Sequence, residues 1–153
     1  MKTARRVFIF CLTLTLLLTC VGAAHAAPEY EYFTSTRANT HFQVLMWDLD
    51  NQGGGTLSIC FETVANRSMT KLGANSIVLY EKLPGETIYT AVYTYNRYTA
   101  PSILGTNKIS HAFEVFYTKA VSGAQYYLSI SFYAEDSTGS ETLHRYSSIV
   151  TAT

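Results

Sequence analysis

Apolar and polar positions alternate along most of the chain, and this period of two predicts β-strands rather than helices. In residues 125–134 (QYYLSISFYA), for example, Leu128, Ile130 and Phe132 lie on one face. No segment shows a convincing helical period. We therefore predict seven strands, at residues 41–47, 56–63, 76–83, 87–98, 108–117, 125–134 and 141–150.

The segments between these strands are rich in glycine, proline, asparagine and aspartate, which favour turns. The Gly-rich stretch DLDNQGGG and the Pro84-Gly85 pair are the strongest such signals. We predict turns or loops at residues 48–55, 65–75, 84–85, 99–107, 121–123 and 135–140, with one possible helical turn in the second.

Short strands without long intervening helices favour antiparallel pairing, because parallel strands need long crossover connections. Two antiparallel sheets that bury their apolar faces against each other satisfy this pattern. The predicted fold class is therefore all-β: a single antiparallel two-sheet β-sandwich of about seven strands. It occupies residues 41–153 and follows an N-terminal extension at residues 27–40.

One local motif refines this prediction. Gly123-Ala124-Gln125-Tyr126 resembles the tyrosine corner of immunoglobulin-like and fibronectin-type-III-like sandwiches, in which a tyrosine hydroxyl hydrogen-bonds the corner preceding its strand. The cysteine–tryptophan–cysteine core of antibody domains is missing, because no cysteine occurs in residues 125–134. The likeness is therefore to the architecture alone.

The first 26 residues have the three parts of a secretory signal peptide. A positive start that contains Arg5 and Arg6 precedes an uncharged apolar run at residues 7–19. Ala24-His25-Ala26 then supplies small residues at the two positions that signal peptidase reads. A spanning helix needs about 20 apolar residues, so this run predicts no membrane span. We expect cleavage after Ala26 and a secreted, extracellular product.

The sequence also leaves a second location open, a lipid-anchored protein. Leu17-Leu18-Thr19-Cys20 loosely resembles a lipoprotein signal, in which Cys20 becomes a lipid anchor.

Removal of residues 1–26 takes away three of eleven basic residues and no acidic residue, which leaves a net charge of −3. Nucleic-acid binding requires clustered lysine and arginine, so we predict no nucleic-acid partner.

The chain as a whole is similar to small secreted Gram-positive bacterial proteins with an uncharacterised immunoglobulin-like or fibronectin-type-III-like β-sandwich domain. The segments that carry this resemblance are the signal peptide, the Gly-rich turn into TLSICFETV, IVLYEKLPGETIY and SGAQYYLSISFYA. The resemblance implies an extracytoplasmic location and a β-sandwich. It implies no activity and transfers no functional residues.

No catalytic, cofactor or metal constellation stands out. Cys60 is the cysteine left after signal cleavage, and its strand context favours a buried, unreactive thiol. His41, His111 and His144 lie far apart in sequence, and His111 has the parity of a buried, hydrogen-bonded residue. The stretch from Asp48 resembles the start of a calcium loop, but Ile59 occupies the position of the required glutamate. We therefore predict no metal site and no cofactor.

Tyrosines are the one candidate binding feature. Tyr89, Tyr93 and Tyr95 alternate with Ile88 and Val92, so we expect the aliphatic residues to face the core and the tyrosines to form one exposed ladder. Tyrosine combines apolar area with a hydroxyl, which suits sugar stacking or a protein partner. The further candidates on the sixth predicted strand are Tyr127 and Tyr133. The competing interpretation is that these tyrosines are core residues or cross-strand pairs.

Three functions remain open from the sequence. The first is a secreted non-enzymatic module that binds an extracellular protein or glycan, and this hypothesis fits the tyrosines best. The second is a structural subunit that assembles through edge strands. The third is a small secreted hydrolase whose carboxylates come from distant strands. The oligomeric state is left open.

Overall fold

A computed structural model describes residues 31–34 and 41–153 of the chain. The predicted signal peptide at residues 1–26, including Cys20, lies outside the described residues. The predicted extension at residues 27–40 is described only at Glu31–Thr34, which forms the first strand of the sheet. The sheet therefore begins within that extension.

The described chain is almost entirely β-structure with antiparallel pairing, which confirms the all-β prediction. One short 3-10 turn, Pro101–Ile103, precedes the fifth strand. The eight strands are β1 (Glu31–Thr34), β2 (Phe42–Gly53), β3 (Thr56–Lys82), β4 (Thr90–Asn96), β5 (Leu104–Tyr117), β6 (Gln125–Asp136), β7 (Gly139–Tyr146) and β8 (Val150–Thr151).

The long strand β3 organises the sheet. One side of β3 pairs first with β2 and then with β6, and the other side pairs first with β5 and then with β4. β1 joins β2, whereas β7 and β8 join β6. All eight strands thus belong to one hydrogen-bonded sheet, which curls into a half-barrel.

The predicted loop at residues 65–75 is wrong, because these residues form the centre of β3. Met69, Leu72 and Ala74 are fully buried and lie in the stretch of β3 that pairs with β5 and β6. The exposed side chains around Arg67 gave this stretch its loop-like sequence, and here the β3–β5 register shifts. The pairing of this stretch with β5 and β6 therefore determines its secondary structure, despite the loop-like preference of the local sequence, as is common in strands.

The core lies inside the curl and joins the two ends of the sheet. Trp47 on β2 and Phe61 on β3 both contact Phe132 on β6, with ring centroids 5.9 and 5.5 Å apart. The Trp47 Nε1–H donates to the backbone oxygen of Tyr146 at 3.1 Å. Each such buried aromatic side chain contributes about 1.5–3 kcal/mol through the hydrophobic effect.

The predicted hydrogen bond at the start of β6 is confirmed. The hydroxyl of the fully buried Tyr126 accepts from the Val121 backbone N–H at 2.8 Å and donates to the Glu81 carboxylate. Burial and the bond to Glu81 raise the pKa of Tyr126 to about 12. The bond fixes the corner that leads into β6, and the turn predicted at residues 135–140 follows between Asp136 and Gly139.

Candidate functional site

The pairing of β3 with β4 contains a bulge that decides where the tyrosines point. Leu79 pairs with Tyr93, whereas the next residue, Tyr80, pairs with Ala91. Val92 is therefore an extra residue on β4. Because side chains alternate along a strand, one inserted residue reverses the faces on its two sides.

The bulge separates the three tyrosines that were expected on one face. Tyr93 and Tyr95 pair with buried residues of β3, and Tyr95 is only 5% exposed, whereas Tyr93 lies nearer the surface at 42%. Tyr89 precedes β4 and contacts a different set of rings. Ile88, which was expected to face the core, is exposed. The prediction of one exposed ladder is therefore wrong, and the tyrosines form two groups.

The first group is a tyrosine platform, which consists of Tyr80, Tyr89, Tyr127 and Tyr146. Tyr80 and Tyr127 stack with ring centroids 4.8 Å apart and an angle of 3° between the planes. Tyr89 meets Tyr127 edge-to-face at 4.9 Å, and Tyr146 lies 6.3 Å from Tyr127. The stacking distance equals the spacing of neighbouring strands. The two stacked rings therefore stand upright on the sheet and direct their edges outwards.

The platform is neutral, with one cation beside it. The Tyr89 hydroxyl donates to Gln125 Oε1 at 3.1 Å, and Lys82 Nζ lies 5.1 Å from the centroid of the Tyr89 ring. Burial, and next the neighbouring phenols, raise the pKa of Tyr127, so its hydroxyl stays protonated near neutral pH. Tyr146 is 63% exposed and is the most accessible ring of the platform.

The second group lines an aromatic cleft of about 330 Å³ between β4 and the end of β5. Its rings are Tyr93, Tyr95, Phe116 and Tyr117. The centroid of Tyr93 lies 4.6 Å from that of Tyr95 and 6.2 Å from that of Tyr117. Burial, followed by the neighbouring phenols of Tyr93 and Tyr117, raises the pKa of Tyr95 to about 12. The remaining lining residues are Thr99, Ala100, Val115, Thr118 and Lys119.

Tyr133, the last tyrosine singled out in the sequence, belongs to neither group. Its hydroxyl donates to Glu135, whose carboxylate also accepts from Lys71 Nζ at 2.9 Å. The bond to Glu135 raises the pKa of Tyr133, and the Tyr133 and Lys71 bonds lower that of Glu135. Tyr133 therefore belongs to a local polar cluster.

Sequence reasoning missed four residues of the two groups: Tyr80, Tyr146, Phe116 and Tyr117. Tyr80 and Tyr146 lie on other strands and join the platform only through the pairing of β3 and β7 with β6. If TLSICFETV and IVLYEKL are treated as parts of one strand, the pairing of that strand with β6 places Tyr80 beside Tyr127. This was the signal that would have found Tyr80. Tyr117 is half-buried on β5, and the cleft exists only because β4 lies nearby.

Cys60 is half-buried and faces two carboxylates. It pairs across the strands with Asp48 on β2 and Glu114 on β5. Burial, followed by the charges of Asp48 and Glu114, raises the pKa of the thiol to about 11. A groove of about 520 Å³ beside Cys60 includes Met46 and Ala112 in its lining. The raised pKa keeps the thiol protonated near neutral pH, which makes it a poor nucleophile.

The three histidines have different environments. His41 is buried, with Nε2 3.4 Å from Asp136 Oδ1 and Nδ1 3.6 Å from Glu141 Oε2. His111 is half-buried, and its Nε2–H donates to the Ser102 carbonyl at 2.8 Å, which confirms a hydrogen-bonded ring. His144 is exposed. Across residues 31–34 and 41–153, no group of three potential ligand side chains is arranged to hold a metal ion.

The turn predicted at residues 48–55 is confirmed only at residues 54 and 55, and the prediction for residues 48–53 is wrong because these residues continue β2. β2 continues to Gly53, and β3 starts at Thr56, so the reversal itself involves Gly54 and Gly55. The Asn51 side-chain oxygen accepts from the Gly53 N–H at 3.1 Å. This local bond supports the turn, as asparagine does in many tight turns.

No protein-family model and no curated protein matches the chain. Among solved structures, the chain is similar to Spo0M, a sporulation control protein from Bacillus subtilis, with 9% sequence identity and a TM-score of 0.41. The match covers 71% of this chain and 48% of that one, so it spans about half the length of Spo0M. In the part of the chain that the structure describes, no helix is long and apolar enough to cross a membrane.

Proposed function

We propose that this protein acts outside the cell as a non-enzymatic module that binds a partner, a protein or a glycan, at the tyrosine platform. The observation that carries this proposal is the clustering of Tyr80, Tyr89, Tyr127 and Tyr146 on one outward face. The signal-peptide pattern of residues 1–26 supports export, with lipid anchoring at Cys20 as the alternative address.

The physical properties of the platform suit recognition. Tyrosine offers a large apolar area and a hydroxyl at a low cost in conformational entropy, and it is enriched among the energetically dominant residues of interfaces. The stacked faces of Tyr80 and Tyr127 cover each other. A flat sugar ring needs an open aromatic face, which of the platform rings Tyr146 offers best. This arrangement favours a protein partner, which can use ring edges and hydroxyls.

We also infer that the curled sheet is equivalent to the two layers of an immunoglobulin-like sandwich. Two observations support this inference: the tyrosine-corner bond between Tyr126 and Val121, and the contact of Trp47 with Phe132 across the interior. In such sandwiches, partners commonly bind to loops or to an outer sheet face. The platform lies on such an outer face.

The chemistry of the reactive groups supports a non-enzymatic function. The Cys60 thiol has a raised pKa. Asp136 lies 2.5 Å from Arg67 Nε and accepts a hydrogen bond from the Thr138 hydroxyl at 2.6 Å, so its carboxylate is already engaged. A secreted hydrolase needs a free carboxylate pair or an activated nucleophile in a cleft. These groups are instead bound within the fold.

Export is tested by expressing the full chain with a C-terminal tag in a secreting bacterial host. We expect the tagged product in the medium, with Ala27 as its first residue by intact mass. Lipid anchoring would instead give a membrane-bound product that starts at a modified Cys20. A product that stays in the cytoplasm with Met1 intact contradicts both addresses.

Binding at the platform is tested by comparing Tyr146→Ala with Tyr98→Ala as a matched control. Tyr98 is 78% exposed and lies outside both tyrosine groups, and its recorded side-chain partner is Arg97. Partners captured by the tagged protein from the source organism's surroundings, and glycans bound on an array, are quantified for each variant. We expect a loss of about tenfold for Tyr146→Ala alone. Equal loss, or no loss, in both variants contradicts the proposal.

Edge-strand assembly is a second candidate function, and one observation favours it. Among the described strands, β5 pairs with β3 on one side only, which leaves its other edge open. Ile109 and Phe116 on β5 are large exposed apolar residues. Open edges of this kind pair readily with a second chain. Light scattering over a wide concentration range tests it, since a constant monomer mass excludes self-assembly.

A further inference from the structure

The side chain of Tyr95 is buried, yet its hydroxyl lacks a protein partner. Tyr95 is 5% exposed, and no described residue forms a hydrogen bond with its hydroxyl. The ring is buried, but the hydroxyl oxygen itself is accessible at the cleft, where it can hydrogen-bond water or a ligand. Because Tyr95 lines the aromatic cleft, this hydroxyl is available to hydrogen-bond a ligand bound there.

The rest of the cleft combines aromatic surface with hydroxyl groups. Tyr93 and Tyr117 add two phenols that also lack hydrogen bonds to described residues, and Thr118 adds an aliphatic hydroxyl. Phe116 is 53% exposed and offers an open ring at the cleft. A ligand that matches this lining must have an apolar face and several hydroxyl groups on its rim.

The charge of the cleft is also informative. Lys119 contributes the one cation of the lining and forms no ion pair with a described residue, and none of the lining residues is acidic. Burial and, after it, the carboxylate of Glu81 raise the pKa of Tyr117, and this carboxylate is itself engaged by the Tyr126 hydroxyl. The mouth of the cleft therefore favours a negatively charged substituent on the ligand.

We propose that the aromatic cleft binds a single pyranose ring that carries a carboxylate, as in a uronic acid. The C–H face of such a ring stacks on Tyr93 or Phe116, its hydroxyls bond to Tyr95 and Tyr117, and its carboxylate pairs with Lys119. The cleft volume of about 330 Å³ falls at the lower end of small-molecule sites, which suits one sugar ring. This site is separate from the tyrosine platform.

The test is a titration of the isotope-labelled exported protein with glucuronic acid and with glucose, followed by NMR shift changes. We expect glucuronic acid to shift residues of the cleft and to bind about tenfold more tightly than glucose, because of its carboxylate. Lys119→Gln should abolish this difference and leave glucose binding unchanged. Glu86→Gln, at an exposed position in the β3–β4 turn, serves as the control and should leave both titrations unchanged.

Tyr95→Phe separates a binding function from a structural one. The substitution removes only the hydroxyl that lacks a described partner, so we expect the midpoint of urea unfolding to stay the same or to rise. Glucuronic acid binding should nevertheless weaken about tenfold. A lowered midpoint together with unchanged binding overturns the proposal, as does the absence of shifts with either sugar at saturating concentrations. Neither outcome affects the platform, whose test uses Tyr146.

Discussion

The imidazole ring of His111 fills the space that any side chain at Gly105 would need. A Cβ at Gly105 would lie 2.7 Å from His111 Nδ1, and a Cβ at Gly73 would lie 2.9 Å from His111 Cδ2. The same ring donates from Nε2 to the Ser102 carbonyl at 2.8 Å. His111 therefore connects the turn before β5 to the middle of β3, and Gly73 on β3 and Gly105 on β5 make room for its ring.

Gly105→Ala should destabilise the protein by about 1–3 kcal/mol, because the added methyl group overpacks this site. Its backbone angle is not in the left-handed region, so the cost is one of space. The change in the free energy of unfolding is measured by urea unfolding. In a His111→Ala background, the same substitution should cost far less, and an equal cost in both backgrounds contradicts the explanation.

Tyr126→Phe should lower the free energy of unfolding by about 1–3 kcal/mol, because the Val121 N–H and the Glu81 carboxylate both lose a partner. The matched control is Tyr93→Phe, which removes a hydroxyl that bonds to no described residue. We expect little change for the control. If both variants unfold at the same urea concentration, the tyrosine corner contributes no stability.

Cys60 should react slowly with iodoacetamide. With a pKa of about 11, its thiolate fraction at pH 8 is on the order of 100-fold below that of an ordinary cysteine. The reaction rate should therefore keep rising up to pH 10 rather than level off near pH 9. Glu114→Gln should speed the reaction at pH 8, whereas Glu86→Gln, in the β3–β4 turn, should not. A rate plateau below pH 9 contradicts this prediction.

Acid should weaken the fold partly through Asp136. The hydroxyl of Thr138 and, after it, Arg67 hold the pKa of this carboxyl far below its ordinary value. A folded-state pKa below the unfolded value of about 3.9 stabilises the protein above that pH. This stability is lost as the pH falls from about 5 towards the folded-state pKa.

Thr138→Val should make the loss of stability between pH 5 and pH 2 shallower, because it removes the strongest contribution to the lowered pKa. Thr142→Val, on the exposed side of β7, is the control and should keep the wild-type slope. Urea midpoints at several pH values give both slopes. A parallel fall in the two variants contradicts this role of Thr138.

The strands could be predicted from sequence wherever one face is buried along the whole segment. β6 is the best example, since Leu128, Ile130 and Phe132 alternate without interruption and all are fully buried. The hydrogen bond of Tyr126 was predictable for the same reason, because the turn and the strand lie next to each other in sequence. Local pattern and tertiary structure agree there.

The strand at residues 65–75 and the grouping of the tyrosines depend on how strands that are distant in sequence pair. The bulge at Val92 has no sequence signal of its own, yet it sends Tyr89 and Tyr93 to opposite faces. The polar residues around Arg67 suggest a loop because their partners, including Asp136, lie far away in sequence. The tyrosines could be recognised in the sequence. Their grouping into the platform and the cleft could not be predicted, because it follows from strand register.

Because β3 belongs to both ends of the curled sheet, neither end can form a stable unit by itself. β2, β4, β5 and β6 all pair with β3, and every remaining strand attaches to one of these. The chain should therefore unfold in one cooperative step, with Trp47 fluorescence and far-ultraviolet circular dichroism giving the same midpoint. Folding should be slow for its size, since pairing β6 with β3 closes a long loop. A single backbone cut within β3 would abolish the whole structure.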